Sequence, residues 1–133
     1  MAKLARRDVQ PKPVRWVGTS KQDLRVFPEE VRRRVGGALW EAQIGLKAPF
    51  TKPLRGFGGA GVLEIADDFD GDTYRAVYTV RFAGIVYVLH AFQKKSKSGI
   101  ATPRREVDLI EQRLKRARED YEQWSRSKKP KSA

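Results

Sequence analysis

Between Thr73 and Phe82 the chain alternates strictly. Tyr74, Ala76, Tyr78, Val80 and Phe82 interleave with Arg75, Val77, Thr79 and Arg81, the period of two that sends successive side chains to opposite faces of a strand. A second apolar run follows Ala83-Gly84 and ends at the cluster Lys94-Lys95-Ser96-Lys97, so the segment reads as a hairpin with cations at its end. One face is wholly apolar and has to be buried; the other is mixed, and chemistry belongs there. A two-residue loop at Ala83-Gly84 pairs Phe82 with Ile85, sets Arg75 opposite Phe92 and sets Val77 opposite His90. Arg75 and His90 are then diagonal neighbours, roughly 7–8 Å apart and able to reach one phosphate. A three-residue loop would instead put His90 beside Tyr78.

The rest of the chain frames this hairpin. Residues 1–13 are basic and contain Pro11 and Pro13, a flexible arm leading to a short strand from Val14 to Val17. Ser20 with Asp23 is placed as an N-cap and acidic partner for a short helix to about Phe27. Pro28 suits the first turn of a second helix, whose Val31, Val35, Ala38, Leu39 and Ala42 recur at helical spacing before a stop at Gly45. Gly36 and Gly37 each cost that helix roughly 1 kcal/mol relative to Ala, which predicts close packing against a neighbour. A loop rich in Pro and Gly spans residues 46–61, a strand covers Val62 to Ala66, and Asp67 to Asp72 forms an acidic turn. Thr102 and Pro103 read as the N-cap and first position of a last helix with the stripe Val107, Ile110, Leu114, Ala117, Tyr121 and Trp124. Residues 125–133 form a basic, disordered tail. A single domain over residues 14–124 follows.

Charge narrows the partner. Twenty-eight Lys and Arg stand against sixteen Asp and Glu, a formal net charge of +12, which favours a polyanion through long-range attraction and counterion release. Nucleic acid is the first candidate and an anionic membrane the second. The chain has no cysteine and one histidine, which excludes thiolate sites and disfavours a metal centre built on histidine; no cofactor is expected. No apolar run is long enough to cross a bilayer and the N-terminus lacks a secretory apolar core, so a cytoplasmic location is expected.

Each candidate residue has a functional and a structural reading. Arg75 on a rigid strand is preorganised for bidentate phosphate binding, or it forms an ion pair with Glu64 on the preceding strand. His90 is the natural general acid or base, or a satisfied structural histidine. Lys94 and Lys95 can stabilise a pentavalent phosphorane or a leaving oxygen, or simply end a strand. Lys52, Arg55, Arg81 and Lys97 are candidate contacts to an RNA backbone, against solvated surface charge. Gly56, Gly58 and Gly61 satisfy G-x-G-x-x-G, but a strand follows where a dinucleotide site needs a helix, so they more simply let a loop bend over the sheet. Tyr121 lies on the apolar stripe and is read as core.

The runs KPLRGFGGAGVLEI, GDTYRAVYTV, VYVLHAFQKKSKSGIATP and EVDLIEQRLKRARE, in the order strand, helical hairpin, three-stranded meander and helix, resemble the RelE/HigB-type toxins, in particular their phage-derived toxin-like branch. The resemblance covers about Trp16 to Tyr121 and is most specific at HAFQKKSKSGIATP. It implies an α+β fold, a small antiparallel-rich sheet with an N-terminal helical hairpin and a C-terminal helix. It also implies the toxin of a type II toxin–antitoxin pair, cleaving mRNA on the ribosome without metal and silenced by a helix-turn-helix antitoxin. Under it, Arg75, Lys94, Lys95 and His90 match catalytic positions, Glu64 stands where some relatives carry a basic residue, and the catalytic tyrosine of some relatives has no counterpart. The related ParE toxins imply a second possibility, non-enzymatic inhibition of DNA gyrase; a basic RNA-binding accessory protein is a third.

Overall fold

The computed structural model describes residues 10–59, 61–94 and 102–128. Its elements are β1 (Val14–Trp16), α1 (Ser20–Arg25), α2 (Glu29–Gln43), β2 (Thr51–Pro53), β3 (Val62–Phe69), β4 (Asp72–Thr79), β5 (Val86–Lys94) and α3 (Arg104–Lys128). The expected α+β class is what forms: a five-stranded sheet ordered β1-β5-β4-β3-β2. β2 through β5 are antiparallel to their neighbours, while β1 runs parallel to β5. β2 arises inside the loop expected over residues 46–61; only three residues of that loop pair with β3, too few to leave a periodic signal.

The alternation sorts the core into two layers. Tyr74, Ala76 and Tyr78 join Leu63, Ile65, Val86 and Val88 under α1 and α2, while Val62, Val77, Leu89 and Phe92 join Ile110, Leu114 and Ala117 of α3. Phe82 departs from the expected pattern: beyond the end of β4 it packs edge-on to Tyr87, in the α3 layer.

The hairpin register has an unexpected construction. The connection is residues 80–85 rather than two residues, and near it Tyr78 pairs with Val88 and Thr79 with Tyr87, one step away from the expected alignment. A bulge after Val77 restores the register, so that Arg75 does lie opposite Phe92 and Val77 opposite His90. Leu89 and His90 consequently face the same side, Leu89 in the α3 layer and His90 against α3 residues, as an extra residue in one strand requires.

Several local expectations shift by a residue. Thr19, not Ser20, precedes α1 and hydrogen-bonds Asp23 at 2.8 Å, because the buried Ser20 hydroxyl donates to Val88 O at 3.1 Å instead. Pro28 is the cap of α2, and Arg32 N donates to its carbonyl. Gly45 ends α2 with φ +85°, the left-handed conformation expected of a terminal glycine. A β-carbon placed on Gly36 or Gly37 would meet nothing within 4 Å, so the expected close packing is absent and nothing in the fold explains the pair. The arm is anchored at its end: Lys12 exchanges two hydrogen bonds with Gln43, at 2.9 and 2.7 Å. Residues 1–9 lie outside the described residues.

The last helix begins one position later than expected and ends later. Pro103, whose carbonyl accepts from Glu106 N and Val107 N, caps α3, and Thr102 turns its hydroxyl elsewhere. Residues 125–128, assigned to the tail, continue the helix. Trp124 stacks on Tyr121 and lies 3.4 Å from where a β-carbon on Gly84 would stand, and Lys128 covers its ring, so this end of the helix is held against the sheet rather than left to fray. Among the described residues no helix is long and apolar enough to cross a membrane.

Candidate functional site

The register lines up four charged side chains obliquely across the mixed face: Lys94 on β5, Arg75 on β4, Glu64 on β3 and Lys52 on β2. Lys52 is directly opposite Glu64, and the other steps are diagonal, within reach of long side chains. Arg75 Nη1 donates to both Glu64 oxygens at 3.1 and 3.0 Å, and both side chains are buried. Thr102 completes the unit by donating to Glu64 Oε2 at 3.1 Å. The structural reading of Arg75 is therefore realised, and the buried pair still lines a cleft. Arg75 and Glu64 floor a cleft of about 400 Å³ whose walls include Lys52, Leu54, Arg55, Thr102 and Val107.

Lys94 is buried beside this pair. Burial first, and the Arg75 charge second, lower its pKa from the usual lysine value, while Glu64 partly offsets them. At a given pH a lysine in that state is neutral, and so free to accept a proton, more often than one in water. Lys52 and Arg55 are exposed on the rim, so the cleft offers cations at its floor and mouth with one carboxylate between them.

His90 shares the face but not the cleft. Its ring is 5% exposed, stacked on Phe92 and covered by α3. Nε2 lies 2.6 Å from Glu106 Oε1 and Nδ1 lies 3.3 Å from Arg113 Nη1. Arg113 can only donate, which assigns the acceptor role to Nδ1 and puts the ring proton on Nε2, facing the Glu106 carboxylate. Arg75 and His90 are diagonal on the sheet, but α3 covers His90.

Arg113 is the residue that sequence reasoning missed. It is 7% exposed and donates to Leu89 O at 3.0 Å and to Thr19 Oγ1 at 3.0 Å, tying the bulge to the turn before α1. A signal existed: Arg113 falls between Ile110 and Ala117 on the buried stripe, at helical spacing. Thr102 and Glu106 gave none, since their partners are distant in sequence.

Arg81 is not part of the charged row. It lies beyond the end of β4, donates to Phe57 O and packs along Gly61, where a β-carbon would come within 2.5 Å of its side chain. Of the three glycines expected to bend the loop closely over the sheet, Gly61 alone makes a tight approach, and it is to Arg81, while a β-carbon on Gly56 would meet nothing within 4 Å. Tyr121 packs on Phe82 and donates to Ala83 O at 2.9 Å. Lys95 and Lys97 lie outside the described residues. Among the described residues no group of three or more His, Cys, Asp or Glu is placed to hold a metal ion.

Residues 22–115, which contain α2, the whole meander and the row Lys94–Arg75–Glu64–Lys52, match the family model described as phage derived protein Gp49-like. The chain belongs to the Gp49-like family. The fold of this Gp49-like protein is that of the RelE toxins: a mutant of the E. coli toxin RelE in the free state superposes with a TM-score of 0.52 at 18% identity, covering 80% of this chain and 98% of that one. The RelBE2 toxin–antitoxin complex from Mycobacterium tuberculosis is a further similar structure, at 23% identity and a TM-score of 0.43, covering 67% of this chain and all of the other. No curated protein matches the sequence.

Proposed function

We propose that this Gp49-like protein is the toxin of a type II toxin–antitoxin pair and acts as a metal-independent endoribonuclease on mRNA, engaged on the ribosome in the cytoplasm. The observation that carries the reading is the cleft floored by Arg75 and Glu64, with Lys94 buried beside them and Lys52 and Arg55 at the rim. The RelE-like fold and the Gp49-like family support it.

The chemistry requires little more than those groups. The ribose 2′-oxygen attacks the adjacent phosphorus, forming a new P–O bond as the bond to the 5′-oxygen of the next nucleotide breaks. Lys94, in its neutral form, takes the 2′-hydroxyl proton; a proton from solvent or the ribosome goes to the leaving 5′-oxygen. Arg75, held in place by Glu64 and Thr102, faces the charge that grows on the non-bridging oxygens, where a preorganised donor is most effective. Lys52 and Arg55 bind the flanking phosphates. His90, with both ring nitrogens engaged beneath α3, has a structural role. The products are a 2′,3′-cyclic phosphate and a 5′-hydroxyl.

A net charge of +12 suits an antitoxin whose acidic segment covers the cationic face, carried by a helix-turn-helix protein. The test is controlled expression with mapping of RNA ends. Growth arrest accompanied by fragments bearing 2′,3′-cyclic phosphates is the expected result. Arrest with intact transcripts and inhibited gyrase supercoiling would replace this reading with the ParE-like one, and the absence of both effects would leave an RNA-binding accessory protein.

A further inference from the structure

The cleft over Arg75 has a neighbour along the same two elements. A second depression of about 540 Å³ is lined by Gly56, Phe57, Arg81, Leu114, Lys115 and Arg118, with Glu111 as its one carboxylate. Leu54 and Arg55 of the first cleft lead directly into Gly56 and Phe57 of the second, and Val107 of the first is one turn of α3 before Glu111 of the second. The two therefore lie between the same elements, the loop after β2 on one side and α3 from Val107 to Arg118 on the other. From Val107 to Arg118 the helix rises about 16 Å, the length of four or five stacked nucleotides at roughly 3.4 Å each.

Its charge is one-sided. Lys115 and Arg118 are exposed and have no ion-pair partner among the described residues, while Arg81 is anchored to Phe57 O at the loop. The only ring in the lining, Phe57, is 7% exposed and so presents no stacking platform. A groove with cations along it and no accessible ring fits a nucleic-acid backbone without reading its bases.

We infer that the groove between residues 54–57 and α3 is a track for single-stranded RNA, in which Lys115 and Arg118 hold phosphates of the strand that flanks the cleft. The inference rests on the reading of the Arg75 cleft as the place where RNA is cut, and it assigns α3 a part in substrate binding. The track is sequence-neutral, and its grip grows with strand length until the groove is filled.

The test measures binding without cleavage, using fully 2′-O-methylated oligonucleotides of about three and about ten nucleotides and fluorescence anisotropy across a salt series. The wild-type protein should bind the longer strand at least tenfold more tightly. The double variant Lys115→Glu/Arg118→Glu should abolish that advantage, leave the short strand unaffected, and reduce the salt slope by about 1.4, the value for two phosphates on a single strand. Lys21→Glu/Arg32→Glu carries the same change in net charge on exposed positions of α1 and α2, across the sheet, and should retain the advantage. A length advantage that survives in the α3 variant would overturn the inference, as would an equal loss in the α1/α2 variant. If unmodified mRNA is never cleaved but the length advantage depends on Lys115 and Arg118, the track stands and the endoribonuclease reading alone falls.

Discussion

Arg113 fills the space that Gly18 leaves empty: a β-carbon on Gly18 would lie 2.8 Å from Arg113 Nε, and the glycine itself has φ +58°. The pairing holds the bulge of β5, the turn before α1 and the last helix to one point. Truncation by Arg113→Ala removes the donor to Leu89 O and one of the two hydrogen bonds of the Thr19 hydroxyl, which keeps its bond to Asp23, and should cost about 3 kcal/mol with the lost packing of a buried side chain. Gly18→Ala should cost a similar amount, part from its left-handed backbone and part from the displaced guanidinium. In a double-mutant cycle followed by urea denaturation, Gly18→Ala should become cheaper once Arg113 is gone, leaving the backbone strain. Strict additivity would show that the two do not meet.

Arg75 can be separated into its structural and chemical parts. Arg75→Lys keeps a donor for Glu64 and should stay within about 1 kcal/mol of wild type, yet it lacks the planar fork that the proposed mechanism sets against the phosphate. Single-turnover cleavage on programmed ribosomes should slow about a hundredfold. Arg75→Ala, which strands a buried carboxylate, should in addition lose about 3 kcal/mol of stability. A lysine variant that cleaves at the normal rate would move the catalytic centre elsewhere.

Under the proposed mechanism, Lys94 gives the reaction its pH dependence. Its pKa is lowered by burial and by Arg75, and only the neutral amine accepts a proton. The cleavage rate should therefore rise about tenfold per pH unit and level off below the ordinary lysine pKa of about 10.4. Lys94→Arg should flatten the profile and reduce the rate throughout. A wild-type profile already flat between about pH 6 and 9 would mean the proton goes elsewhere.

For His90 the expectation is near-silence in catalysis. The amide of His90→Gln can donate to Glu106, and the rate should stay within about threefold of wild type, with the loss appearing in the denaturation midpoint. A rate fall as large as that of Arg75→Ala would reverse the assignment.

Alkaline pH should loosen the core through its tyrosines. Burial pushes the Tyr78 hydroxyl up to about 12 from a normal value of 10.0, and burial and Asp120 raise Tyr87 as well. Because both prefer the protonated form when folded, their contribution is intact below about pH 10 and is lost as pH rises toward 12. Circular dichroism along a base titration should show a shallower decline for Tyr78→Phe than for wild type.

What the sequence disclosed follows from the range of each signal. The period of two in β4 and the stripe on α3 are local, and both were legible down to which residues share a layer. The pairing of Arg75 with Phe92 was legible too, although a long connection and a bulge at Leu89 produce it where a tight turn was expected. Partners brought in by a distant element were not legible: nothing near His90 announces Glu106 or Arg113, and nothing near Glu64 announces Thr102. Lys52 and Arg55 could be set beside Arg75 only once β2 had paired with β3, and that strand is too short to advertise itself.

Both rims of the sheet are strands of three residues, β1 and β2, and β2 closes on Pro53, which has no amide hydrogen to offer a newcomer. The strands that carry Glu64, Arg75 and Lys94 are all interior. A chain so positively charged meets many extended polymers, and an exposed long strand would invite them to add to the ladder. Those interior strands offer such a polymer their side chains, and the two edge strands that remain are three residues long.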